Sequence, residues 1–168
     1  MMLHELNTCT AEAFISALGG IFEHSPWVPE GAASQRPFAD VEALHRALCA
    51  VVAKAGVAAQ LALIRAHPHL AGKAAVRGEL TDSSTREQRG AGLDQCTPEE
   101  FVQITRLNDA YEGRFGFPFI IAVRGHTRQS IIAAMESRLP HSTEAETDEA
   151  LRQIERIAGF RLADLIAP

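Results

Sequence analysis

Only one stretch of this 168-residue chain, Phe119-Ile120-Ile121-Ala122-Val123, has the side-chain pattern of a β-strand. At five residues it has no convincing partner elsewhere, and a lone strand has no ladder for its backbone groups. A sheet therefore cannot organise the fold, and this run reads as a buried extended segment. The other apolar residues recur at helical spacing. Phe14 and Leu18 lie four apart behind Thr10, which can cap a helix that Gly19-Gly20 stops. Val41, Leu44, Leu48 and Val51/Val52 mark a second helix, and Val57, Leu61 and Ile64 a third. Thr97-Pro98-Glu99-Glu100 joins a capping box to a proline at the first helical position. The helix it opens is expected to bury Phe101, Ile104, Leu107 or Asn108, and Tyr111, and to end at Gly116 and Pro118. Two more are predicted over about 127–139, with Ile131, Ile132, Met135 and Leu139, and over about 143–166. The stretch 23–30 is too proline-rich for a helix and reads as a loop, as does 72–82. Ser84-Thr85-Arg86-Glu87 has capping-box spacing and predicts a short helix starting there and ending near 90–92. The expected fold is all-α: a single compact multi-helix domain over 1–168, with one extended segment at 119–123.

Charge narrows the partners. Sixteen basic residues against 21 acidic ones give a net charge of −5, which disfavours nucleic acid and anionic membrane surfaces as partners. A few arginines converging on one small anion remain compatible with it. Cys9, Cys49 and Cys96 are widely spaced and odd in number, so no disulfide framework or metal knuckle is read from them. No signal peptide is visible at the N-terminus, no run approaches the ~18 apolar residues of a membrane span, and Ile166-Ala167-Pro168 is not a peroxisomal address. The expected location is cytoplasmic.

Four features could carry chemistry, and each has a plain structural reading beside it. His67 precedes Pro68, which pushes it out of helical geometry to a helix end or just beyond. There it is either a capped, half-exposed side chain or an acid/base group working near neutral pH. A metal at His67 and His69 lacks further ligands. Ser84-Thr85-Arg86-Glu87-Gln88 is either a helix start alone or also a place for an anion and an imidazole-orienting carboxylate. The side chains of 119–123 read as core, while the backbone N–H and C=O groups of an unpaired segment need partners that a planar polar ligand could supply. Arg161 lies beside the apolar stripe of Ile154, Ile157, Ala158, Leu162 and Leu165. It either snorkels to solvent or aims its donors into a pocket.

The order and combination of these features carry a resemblance. Gly20-Ile21-Phe22-Glu23-His24-Ser25-Pro26-Trp27, Ala66-His67-Pro68-His69-Leu70-Ala71-Gly72, Ser84-Thr85-Arg86-Glu87-Gln88, Leu107-Asn108-x-x-Tyr111-x-x-x-Phe115-Gly116-Phe117-Pro118-Phe119-Ile120 and Arg161 stand in sequence. From Phe14 to Leu165 the chain resembles the decarboxylases that act on 2-oxo-4-hydroxy-4-carboxy-5-ureidoimidazoline (OHCU) in urate breakdown. The resemblance implies an all-α, cofactor-free and usually homodimeric carboxy-lyase that gives (S)-allantoin and CO2. It also implies His67, Glu87 and Arg161 as catalytic residues. Pro68, Ser84, Thr85, Arg86, Gln88 and the backbone of Phe119, Ile120, Ile121, Ala122 and Val123 would bind substrate. The opposing reading is a non-enzymatic helical module that binds a small anion or a partner protein through Arg161 and the loop near Trp27. A hydrolase of a related ureide, releasing ammonia or urea, is a third.

Overall fold

The computed structural model describes Met1–Ala167; Pro168, the last residue of the C-terminal tripeptide and of the expected 1–168 domain, lies outside the described residues. The described residues hold ten α-helices and two short 3-10 turns, with no strand among them. The fold is all-α, as the helical periodicity requires. By compactness the chain divides into two units, one formed by Met1–Ala66 with the stretch from Ile154, the other by His67–Gln153.

In the first unit, Thr10 caps α2 (Ala11–Leu18) by accepting the Ala13 N–H at 3.2 Å, and Asp40 caps α4 (Val41–Lys54) through Ala43 at 2.6 Å. A short α1 (Leu3–Thr8), not expected from the sequence, precedes them. The expected loop at 23–30 instead contains the start of α3 (Trp27–Ala32). Pro26 is its N-cap and Pro29 its third residue. Both fall where a helix has no acceptor for the backbone N–H, so neither proline costs a hydrogen bond. Gly31 then lets α3 close on α4, since a Cβ there would meet Val51 Cγ1 at 2.7 Å. α5 (Val57–Arg65) buries Leu63 and Ile64. Val57, expected on that inward face, is exposed because it stands at the first helical position, past the packed turns. Leu6, Phe14, Leu18, Phe22, Leu44 and Leu48 fill the core with Ala158 and Leu162 from the end of α10 (Thr143–Leu165).

The second unit is built on α8 (Pro98–Phe115), whose capping box at Thr97 and Glu100 forms as its sequence predicts and whose end is the left-handed Gly116. α8 packs on α9 (Arg128–Arg138). Tyr111 is the hub of an aromatic cluster, its ring 4.5 Å from Phe115 and 5.2 Å from Phe119 between centroids. Phe101, expected in the core, is 40% exposed in the first turn of α8. The loop expected at 72–82 contains one helical turn, α6 (Lys73–Val76). Among the described residues no single helix is both long and apolar enough to cross a membrane.

Candidate active site

α5 gives out at Arg65, and Pro68 denies helical geometry to the residue before it. His67 consequently stands just past the helix end, where it is 8% exposed. The three residues after Pro68 are gripped by two amide side chains. Gln88 Oε1 accepts the Ala71 N–H at 2.9 Å, and Gln88 Nε2 donates to the His69 carbonyl at 3.2 Å. Asn108 Nδ2 donates to the Leu70 carbonyl at 2.9 Å. Between these bonds Ala71 adopts a left-handed φ of +48°, a conformation that a residue with a Cβ holds only when its surroundings impose it. His69 Nε2 lies 2.7 Å from Glu112 Oε2, without the alignment of a hydrogen bond.

Gln88 and Ser84 come from α7 (Asp82–Gly90). Here the expected cap is corrected. Thr81, not Ser84, is the N-cap and accepts the Ser84 N–H at 3.3 Å. Two cap signals overlap, Thr81-x-x-Ser84 and Ser84-x-x-Glu87, and the earlier one wins by adding a turn that places Asp82 at the positive end of the helix. Ser84 thus becomes the third helical residue, buried with Gln88 four positions on. Pro68, Thr85 and Glu87 are half-buried, whereas Arg86 is exposed.

The segment 119–123 is buried and extended, and outside any strand. Two side chains reach its backbone from α9 and α10. Arg138 Nη1 donates to the Ile120 carbonyl at 2.8 Å, and Gln153 Oε1 accepts the Ala122 N–H at 2.9 Å. Arg138 is itself paired with the fully buried Glu146 (Nε to Oε1, 2.8 Å) and stacks over Phe119 at 4.3 Å. Glu146 also accepts from the Tyr111 hydroxyl and lies 3.1 Å from His141 Nδ1. Burial, then the bond to Glu146, pushes the Tyr111 phenol well above its ordinary pKa. Val123 C=O takes the His126 N–H at 2.9 Å. The N–H groups of Ile120, Ile121 and Val123 have no partner among the described residues.

Arg161 belongs to the first unit and does not snorkel. Its Nη1 donates to Glu23 Oε2 at 2.9 Å and to the Gly20 carbonyl at 3.0 Å, with both side chains buried. Glu23 is presented by a tight turn in which His24 has a left-handed φ of +48° and Ser25 Oγ donates back to the Glu23 carbonyl at 2.8 Å.

A cavity of about 540 Å³ in the second unit is mainly apolar, walled by Leu80, Leu93, Cys96 and Phe101 with Thr85 and Gln88 on one side. It includes neither His67 nor Glu87. Among the described residues no three histidine, cysteine or acidic side chains gather as a metal ion would need.

A family model for the OHCU decarboxylases matches residues 7–163. The chain belongs to the OHCU decarboxylase family. It is 42% identical over 164 residues to a 2-oxo-4-hydroxy-4-carboxy-5-ureidoimidazoline decarboxylase of Haloferax volcanii, covering 98% of this chain and 95% of that one. It is 43% identical over 164 residues to the uric acid degradation bifunctional protein of Bacillus subtilis, 98% of this chain but only 32% of that protein, so it spans about a third of that relative. The crystal structure of (S)-allantoin synthase superposes with a TM-score of 0.81 at 30% identity, over 99% of this chain and 54% of the other. In this OHCU decarboxylase family member, the second unit brings His67, Pro68, residues 84–88 and residues 119–123 within one compact body. The groups that hold these elements carry little signal in the sequence: Asn108 stands as a core position and inside the Leu107–Ile120 motif without a role, and Gln153, Arg138 and Glu146 give no local signal. Glu23 stood inside the Gly20–Trp27 stretch without a role.

Proposed function

We propose that this chain removes CO2 from 2-oxo-4-hydroxy-4-carboxy-5-ureidoimidazoline and yields (S)-allantoin. The observation that carries the reading is His67, a buried imidazole in a loop that two amides hold, in a chain whose near full-length relative at 42% identity bears that activity as its name. When the bond from ring carbon 4 to its carboxylate breaks, its electron pair forms a double bond to carbon 5 and the imine pair moves onto the ring nitrogen, which takes up a proton. The 4-hydroxyl gives up its proton and becomes the carbonyl of allantoin. One proton is then added to the carbon bearing the ureido group, and the face it arrives on sets the S configuration. The imine makes the substrate its own electron sink, so the reading includes no metal or organic cofactor.

The protein's part is orientation, charge stabilisation and one directed proton transfer. His67 is the group we assign to the hydroxyl or carboxylate first and to the incoming proton afterwards. Glu87 holds the imidazole or a ureido N–H. The unpartnered N–H groups of 119–123 suit the ring and ureido oxygens, and Pro68 and residues 84–88 line the substrate. Arg161 is assigned a carbonyl or the carboxylate. We further read the working form as a cytosolic homodimer.

The test generates the substrate in place from urate with the upstream enzymes and follows the product by circular dichroism. Spontaneous decay gives racemic allantoin, so the expected signal is an excess of the S enantiomer. Equal decay with and without the protein would reject the reading.

A further inference from the structure

We infer that Asn108 is a positioning residue for His67, the α8-borne half of a clamp that sets the backbone just downstream of the imidazole. The inference rests on the role proposed for His67. Asn108 sits on the inward face of α8 between Ile104 and Tyr111, where it is 4% exposed. An amide in such a place costs free energy that leucine would not, unless its hydrogen bonds are made. Only half of that cost is offset. Nδ2 donates to the Leu70 carbonyl at 2.9 Å, while Oδ1 is buried with no partner. The Leu70 carbonyl can only accept, so the orientation of the amide is fixed by chemistry. Packing alone does not account for a buried, half-satisfied amide. Its grip on Leu70 does.

That grip acts together with Gln88. Three backbone groups in succession, His69 C=O, Leu70 C=O and Ala71 N–H, are held by two side chains from two helices. Together they impose the left-handed turn at Ala71. Between the clamp and His67 stands only Pro68, whose φ is locked by its ring. Few backbone torsions remain through which the imidazole could drift, so the clamp preorganises it before substrate arrives. Gln88, with an amide donor and acceptor both engaged by the loop, serves the same purpose from α7. Misplacing a reacting group by about 1 Å costs on the order of a hundredfold in rate, and that is the scale at which the clamp acts.

Two variants and two readouts test this. Asn108→Leu removes both the grip and the unpartnered oxygen with a side chain of the same branched shape and heavy-atom count, so the helical fold should persist. Its kcat should fall about 10- to 100-fold with KM nearly unchanged, the enantiomeric excess should drop as racemic decay competes, and peptides spanning 67–72 should exchange deuterium faster. Asn108→Asp keeps the shape but donates to the Leu70 carbonyl only when protonated. Its turnover should fall as pH rises through the aspartate titration, a limb absent from wild type, which shares the neighbouring His69 and Glu112. Wild-type kcat and unaltered exchange at 67–72 in Asn108→Leu would overturn the inference. If Asn108→Leu fails to fold, an Asn108→Asp profile parallel to wild type overturns it instead. If wild type itself gives no S excess, the reaction assigned to His67 fails, and the exchange at 67–72 still decides whether the clamp exists.

Discussion

Gln153 joins two partners at once: its Oε1 accepts the Ala122 N–H at 2.9 Å while its Nε2 donates to Glu149 Oε1 at 2.7 Å. The carboxylate dictates which way the amide faces, because Glu149 can only accept. Gln153→Leu would leave the buried Ala122 N–H unpaired, at a cost of about 1–3 kcal/mol. Thermal melts should show the midpoint lower by several degrees. The segment is also assigned to substrate binding, so KM should rise more than kcat falls. An unchanged KM in steady-state kinetics would remove Ala122 and its neighbours from that role.

Arg161 and Glu23 are a buried pair, 6% and 2% exposed in their side chains. Removing one partner strands the other charge, which typically costs about 3–5 kcal/mol. Arg161→Met should therefore be strongly destabilised in denaturant titrations. Adding Glu23→Leu should recover most of that loss, since an apolar pair of similar volume is often neutral. The double variant should remain inactive if Arg161 holds substrate. Turnover restored along with stability would make the pair purely structural.

Stability should fall on the alkaline side. Burial, with the Glu155 carboxylate second, pushes the Cys49 thiol up to about 12, and burial raises the Tyr111 phenol as well. Both groups hold their protons more tightly in the folded chain than in the unfolded one. Above the ordinary thiol range near 8.5, the unfolded state has fewer protons bound, so stability declines as pH rises. Tyrosine adds to the decline from about pH 10. Melts from pH 8 to 11 should show this slope, and Cys49→Ala should flatten its first part. A midpoint constant to pH 10.5 would be inconsistent with the burial of these groups.

Helix starts are legible where a lone cap side chain accepts the N–H three residues on, as at Thr10 and Thr97. They are not legible where signals overlap, at Thr81 and Ser84, or where prolines fall at the cap and in the first turn, at Pro26 and Pro29. Exposure of Val57 and Phe101 depends on where a helix face runs out of neighbours, which spacing alone does not encode. Family membership and the placement of His67 after a helix end were readable from local motifs. The holders of the site were not. Asn108 meets Leu70 across 38 positions and Gln153 meets Ala122 across 31, and such pairings exist only once the helices have packed.

His67→Asn keeps a polar side chain of similar reach but cannot carry a proton between the hydroxyl and the ring carbon. With substrate generated in place from urate, the wild-type protein should give allantoin with the circular dichroism of the S enantiomer. The variant, with far-ultraviolet spectrum and melting midpoint near wild type, should leave only the racemic, optically silent product of spontaneous decay. An S excess formed by His67→Asn at close to the wild-type rate would remove His67 from the centre of the reaction.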